Sequence, residues 1–433
     1  MLTVLLSQAQ SPCRHDTGEA VSSYQIVSVK DYSFSELLDE GVGTASRQLD
    51  ILHIPIRQFG FVVKAYIRSH HFALGMNKRR KATFRAVAFA YPSLSPTGEP
   101  VMLSGLVVIP LLGGNRPSGV LLYHRLLAAS NTIAPSNSLP AEAALAADNT
   151  VCVFPDYYGC GTTEGEPLPF VAFNYHARCA TQCLLAALDI VGDQGVAMAD
   201  GFHTWNTGYS QGAGYALATQ KYIETELPDS VARRLNLRWS FCGGGVYSPD
   251  RLFRHAIESG DLGSSPAVYL QSLRGMLHYD RAFADSIPLR ALLSERAIHD
   301  GIDTLLLTRD DGLWDLSSRI EGLDGISSPA DFFSSAVTDT SSELFRTVLK
   351  AFALDDCTSG WNPKAPIAFL HSQCDSLAPI RLTHDAILQL SANGASCTLS
   401  SPRRNGSHSN TAFKYFRLLL RLSEDRLYSR YVK

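Results

Sequence analysis

The sequence predicts an α/β chain: a mostly parallel central sheet flanked by helices and interrupted by one inserted helical segment. Three observations carry this expectation. Strand-like and helix-like stretches alternate from about residue 119 to 245 and again after 366, and βαβα order implies a parallel sheet covered on both faces. One strand-like stretch, 202–207, runs straight into Gly208-Tyr209-Ser210-Gln211-Gly212 and then into a helical stretch, 215–222. Between the two alternating regions, 251–358 reads as amphipathic helices with polar loops and no convincing strand.

Taken in order, residues 1–20 read as a tail and 21–250 as the first part of the core. A short helix is expected over 35–40, closed by Gly41, then β character over 59–67 and 82–91. The turn Pro96-Thr97-Gly98-Glu99-Pro100 leads into a strand over 101–109, and a further strand follows over 119–123. These strands suggest an antiparallel opening to the sheet. Next come a helix over 141–147, a buried strand over 150–154 and a helix over 175–190. The strand 202–207 and its helix follow, then a strand over 235–241 closed by Gly243-Gly244-Gly245. The insertion, 251–358, is expected to hold helices at 252–258, 267–277, 289–298 and 342–352 and to act as a cap or lid on the functional edge of the sheet. The second part of the core, 359–433, adds a strand at 366–371, a helix at 380–391, a short strand at 396–399 and a long helix at 411–421.

Bulk properties narrow the function. A chain of 433 residues suits one large α/β domain with an insertion, or two domains, and 45% hydrophobic residues suffice for a sizeable core. A formal net charge of -3 argues against a nucleic-acid partner or a basic membrane-surface protein. The run Lys78-Arg79-Arg80-Lys81 reads as a solvated turn, and no apolar run approaches the length of a spanning helix. Leu2-Thr3-Val4-Leu5-Leu6 followed by Ser7-Gln8-Ala9 resembles the end of a secretory signal, although its apolar part is short and a basic leader is missing. Export from a bacterial cell is therefore expected. The nine cysteines form no CxxC pair. Cys152, Cys242 and Cys374 fall in or beside expected core strands, where a thiol acts as a small hydrophobe. Cys179 and Cys183 share one helix face, a spacing open to a disulfide or metal pair but favouring two buried small residues. The 13 histidines are scattered and no zinc pattern occurs.

The chemistry centres on Ser210. In G-x-S-x-G a strand ends in a sharp turn, the serine sits at its apex and a helix starts at once. The bland alternative is a Gly/Ser turn between core elements. A hydroxyl needs a base, and the base an orienting acid, both expected downstream on loops after later strands. Asp375 lies in Ser372-Gln373-Cys374-Asp375-Ser376-Leu377-Ala378-Pro379, at the carboxyl end of strand 366–371. Asp355 and Asp356 follow no strand. His408 lies after strand 396–399 and ahead of the last helix, whereas His384 falls inside helix 380–391 and His371 inside a strand, as a packed core residue. The oxyanion needs two backbone donors. One is the N–H of Gln211, and the other is expected from His124-Arg125-Leu126 after strand 119–123, with Leu126 chosen over Arg125.

Ser210, Asp375 and His408 in that order resemble the α/β-hydrolase fold. Within it the chain resembles the secretory lipase/esterase group of the fungal lipase A type and its Bacteroidetes relatives. The matching landmarks are Ser104-Gly105-Leu106-Val107-Val108-Ile109-Pro110, Pro155-Asp156-Tyr157-Tyr158-Gly159, the Ser210 turn, Phe241-Cys242-Gly243-Gly244-Gly245-Val246-Tyr247 and Trp361-Asn362-Pro363-Lys364-Ala365-Pro366. The resemblance implies hydrolysis of carboxylic esters through an acyl-enzyme, in a pocket roofed by the insertion. A small-molecule or lipid ester is the expected substrate, and no cofactor or metal is required. The residues alone imply acyl transfer without choosing ester over amide, so a serine peptidase or amidase is the nearest alternative and a non-catalytic binding protein the remote one. Tyr269, Leu270, Leu277, Phe283, Trp314, Phe332 and Phe333 are candidates to line an acyl pocket, though their helical spacing favours the core of the insertion.

Overall fold

The computed structural model describes residues 24–51, 83–111, 113–126, 131–263, 266–307, 326, 328–402 and 406–422. The expectations for 1–20, strand 59–67, the basic run 78–81 and Trp314 lie outside them. One nine-stranded sheet organises the chain, in the order β1-β2-β3-β5-β4-β6-β7-β8-β9. Its strands are β1 (Gln25–Ser33), β2 (Thr83–Leu94), β3 (Pro100–Leu111), β4 (Gly119–His124), β5 (Thr150–Pro155), β6 (His203–Tyr209), β7 (Leu237–Gly243), β8 (Ile367–Leu370) and β9 (Cys397–Ser400).

The opening is antiparallel, as expected, through the pairs β1–β2, β2–β3 and β3–β5. β4 departs from that expectation. It does not pair with β3 but lies between β5 and β6, parallel to both. From there to β9 every pairing is parallel. β4 and β5 are buried at every position, as strands covered on both faces must be. β1, which the sequence pattern does not single out, is an exposed edge strand buried only at Tyr32, so it lacks the alternation that marks a half-buried strand.

Helix α1 (Phe34–Ile51) continues through Gly41 instead of stopping there. A Cβ on Gly41 would stand 2.9 Å from the Ala141 Cα, so this glycine serves close packing of α1 on the next segment. That segment, Ala141–Asp148, is a 3-10 helix, preceded by Pro140 and closed by left-handed Asn149. Helices α2 (Phe173–Asp193), α3 (Gln211–Thr225) and α4 (Asp229–Leu235) follow β5 and β6. One apolar cluster fills each face of the sheet. Phe84, Trp205 and Tyr415 belong to one, and Val107, Val153 and Cys183 to the other.

Between β7 and β8 the described residues form helices: α5 (Pro249–Ser259), α6 (Ala267–Tyr279), α7 (Arg281–Ser286), α8 (Leu289–Leu292), α9 (Glu295–His299), α10 (Ile302–Leu307), α11 (Pro329–Phe332), α12 (Ser335–Thr338) and α13 (Glu343–Ala353). The single helix expected over 289–298 is split. Leu293 is extended and bridges Phe333, and the Ser294 side chain caps α9 by accepting from Ala297 N. A third and larger apolar cluster runs from Tyr215 and Leu217 on α3 into the insertion. It takes in Leu270, Phe283, Phe332 and Phe333, and Tyr269 is buried with them. Leu277 packs partly buried against it. These side chains are core of the insertion. The chain closes with α14 (Ile380–Ala392) and α15 (His408–Leu422). α15 starts three residues earlier than expected, which puts His408 in its first turn.

Candidate active site

The parallel strands bring their carboxyl ends to one edge of the sheet, and the sequence-predicted residues gather there. Ser210 follows β6 with φ 56° and ψ −122°, a left-handed conformation that non-glycine residues rarely adopt. The turn is held by the Ser210 N–H donating to Gly243 O at 2.8 Å. Its two glycines are required by contact. A Cβ on Gly208 would lie 2.1 Å from Gly212 O, and one on Gly212 would lie 2.2 Å from His124 O and 2.6 Å from Arg125 O. The second contact lays the backbone at the end of β4 against the first turn of α3.

Ser210, His408 and Asp375 form one hydrogen-bonded chain. Asp375 Oδ2 accepts from His408 Nδ1 at 2.7 Å, since a carboxylate only accepts. His408 Nε2 is then the acceptor, and the Ser210 hydroxyl donates to it at 2.8 Å. The other oxygen of Asp375 accepts from Leu377 N at 3.0 Å and Ala378 N at 2.9 Å. Burial by itself would raise the Asp375 pKa, but the nearby His371 N–H and the hydrogen bond from His408 outweigh it and hold the carboxyl well below the usual carboxylate range. The acid is therefore charged at any ordinary pH. His408 keeps 18% of its side chain exposed while the Asp375 side chain has none, so the relay opens to solvent at its serine end.

The residues around this relay differ in what their side chains touch. Gln211 begins α3 and is buried. Its side chain donates to Tyr215 Oη at 2.6 Å, while its main chain lies at the helix N-terminus, where partial positive charge collects. Leu126 follows β4 and is half-buried against two of the clusters. The Arg125 side chain turns away into the protein. It donates to Ile133 O at 3.1 Å and to Cys160 Sγ at 3.1 Å, and stacks over Tyr157. His124 is buried and pulled down to about 4 by that burial, so its ring is neutral and Nε2 donates to Asn206 Oδ1 at 3.0 Å. His384 is exposed on α14. Asp355 accepts from Asn174 N at the start of α2, and Asp356 is bound by Ser248, Thr358 and Ser359. Both are tied into the junction between insertion and core.

Sequence reasoning missed three supports. Tyr209, the residue before the serine, donates from its hydroxyl to His408 O at 2.6 Å and so ties β6 to the start of α15. Tyr157 Oη donates to Arg125 O at 2.6 Å and fixes the segment after β4. His371 is fully buried as expected, but it lies 3.5 Å from Asp375 Oδ2. Its spacing of four residues from Asp375 was the one available signal. Cys152, Cys242, Cys179 and Cys183 are buried free thiols, whereas Cys374 is exposed on the Asp375 loop and is no core residue. It follows β8 outside the sheet, where the loop faces solvent. Among the described residues no cluster of His, Cys, Asp or Glu could hold a metal ion, and no helix is long and apolar enough to cross a membrane.

No protein-family model matches the chain, and no curated protein matches it significantly. Solved structures do. A rice cell wall degrading esterase, LipA from Xanthomonas oryzae, superimposes with TM-score 0.65 at 19% identity, over 95% of this chain and 98% of that one. A Legionella pneumophila protein gives TM-score 0.67 at 15% identity over 94% and 97% of the two chains. Candida antarctica lipase A in its closed state gives TM-score 0.55 at 16% identity over 77% and 75%. With a mostly parallel sheet, the strand–serine–helix turn and the insertion after β7, the chain has the α/β-hydrolase fold of these solved structures.

Proposed function

We propose that this chain is a serine hydrolase that cleaves carboxylic esters through an acyl-enzyme. The observation that carries the reading is the unbroken relay from Ser210 Oγ through His408 to Asp375 Oδ2, with links of 2.8 and 2.7 Å. Ser210 attacks the acyl carbon as His408 Nε2 takes its proton. Asp375, held ionised, orients the imidazole and stabilises its charged form. The tetrahedral oxyanion is stabilised by backbone N–H groups of Gln211 and Leu126. His408 then returns the proton to the leaving alcohol, and water repeats the sequence to release the acid. The insertion serves as a lid whose inner surface selects the acyl group. The choice of ester over amide is supported by the likeness to esterases and lipases.

The test is hydrolysis of p-nitrophenyl esters from acetate to palmitate, with Ser210→Ala as the blank. Loss of turnover in Ser210→Ala on the order of 10⁴-fold or more is expected. A variant near wild-type rate would sink the assignment. Failure on every ester, with Ser210 still labelled by a fluorophosphonate, would shift the reading to amides or peptides. Export, suggested by residues 2–9, is checked by fractionating an expressing bacterium. Activity confined to the cytoplasm would refute it.

A further inference from the structure

The relay continues past Asp375 to a second imidazole. His371 follows β8, is 0% exposed and has both ring nitrogens engaged. Nε2 lies 2.7 Å from Ala378 O. A carbonyl only accepts, so Nε2 carries the proton. The same N–H stands 3.5 Å from Asp375 Oδ2, between two side chains with no exposure. On the other edge of the ring, Nδ1 is 2.6 Å from the hydroxyl of Thr383, itself buried on α14. With Nε2 protonated in the neutral ring, Thr383 donates to Nδ1. That donation fixes the ring and polarises it, making Nε2–H a stronger donor.

Resting on the triad reading above, we propose that His371 is a positioning residue for Asp375. It does two things through one proton. By binding Ala378 O it holds the turn whose N–H groups at 377 and 378 clamp Oδ1. Through its longer arm it faces Oδ2, the oxygen that accepts from His408. The carboxylate thus has one oxygen clamped by backbone and the other set between two imidazoles, which leaves it a single orientation toward His408. The titratable groups facing this carboxylate are His371 from the end of β8, His408 from α15 and Tyr209 from β6. Of these, His371 and His408 face the same oxygen, and His371 draws charge from it. Without it, Oδ2 would carry more charge toward His408 and favour the imidazolium.

The experiment compares His371→Leu, His371→Gln and Thr383→Val in the full-length protein, by steady-state kinetics on a p-nitrophenyl ester and by pH profiles of kcat/KM. Fluorophosphonate labelling of each variant and a Ser210→Ala blank run alongside. In His371→Leu, kcat is expected to fall about tenfold to a hundredfold with KM little changed, and the acid limb to move upward by about half a pH unit. Gln, which can place an N–H near Nε2, is expected to restore most of the rate and the limb. Thr383→Val is expected to show a smaller loss in the same direction. A purely structural role would cost stability without moving the limb, and Gln would be no better than Leu. Either of those results, or a folded His371→Leu with wild-type kinetics, overturns the proposal. Where His371→Leu does not fold, an unchanged profile in Thr383→Val overturns it. Turnover surviving in Ser210→Ala would defeat the triad reading itself. Full activity in the His371 variants, with Ser210→Ala dead, would defeat this inference alone.

Discussion

Ser210 holds a left-handed backbone that costs about 1–3 kcal/mol in a non-glycine residue, and its neighbours make that conformation the one available. Gly208 and Gly212 contribute by having no side chain. Gly212→Ala would drive a Cβ to 2.2 Å from His124 O, so it is expected to displace the segment after β4 and lower turnover by at least about tenfold. Equal activity in a folded variant, checked by circular dichroism, would contradict this. Asp375 gives a prediction with a sign. Its folded pKa is held below the unfolded value, so its contribution to stability is complete above about pH 4, the unfolded-state carboxyl range, and is lost as pH falls below that. Asp375→Asn is expected to lose turnover on the order of 10⁴-fold. Its deficit in melting temperature should shrink from pH 5 to pH 3, and a constant deficit would contradict the linkage.

At the scale of elements, the insertion is fastened to the sheet domain where α13 returns toward β8. Asn174, at the start of α2, donates from its side chain to Leu354 O at 2.7 Å and from its backbone to Asp355 Oδ1 at 2.9 Å. Burial pushes the Asp355 carboxyl up to about 6, while the hydrogen bonds from Asn174 and Phe173 pull the other way. A carboxyl raised on folding favours the native state when protonated. Its contribution is full below about pH 4 and is lost as pH rises through 6. Asp355→Asn keeps the acceptor oxygen and removes the charge. It should match wild type near pH 3, below the unfolded carboxyl range, and melt about 2 °C or more higher at pH 8. A variant less stable at both pH values would show that the negative charge itself is needed at this helix start.

At the scale of the molecule, the third apolar cluster joins the helix after Ser210 to the insertion. Ala213, Tyr215 and Leu217 share it with Phe253, Phe332 and Val348. A core that crosses the boundary predicts one cooperative unfolding transition, with near-ultraviolet circular dichroism and fluorescence melting together. Phe332 is 0% exposed. Phe332→Ala should cost about 3–5 kcal/mol and shift the whole transition. Two separated transitions would show the insertion to be an independent unit. Most of the sheet was legible because buried strands carry unbroken apolar runs such as 120–123 and 151–154. β1 was not, because an edge strand exposed along nearly its whole length carries no burial pattern. The break between α8 and α9 was also hidden, since Leu293 continues the apolar spacing and leaves the helix to bridge Phe333.

By itself the sequence determined the fold class, the turn at Ser210 and the candidacy of Asp375 and His408. These depend on local facts: glycines flanking a serine between a strand and a helix, and polar residues placed just after strands. The tertiary structure decided what reaches across the sheet edge. The hydroxyl of Tyr209 meets the carbonyl of His408, Tyr157 fixes the segment after β4, and His371 comes within 3.5 Å of the acid it precedes by four residues. The first two contacts join residues far apart in the chain and form only once the sheet has assembled, and the third depends on how the loop after β8 turns back on itself. Chain order states neither which loop ends meet nor how a loop turns.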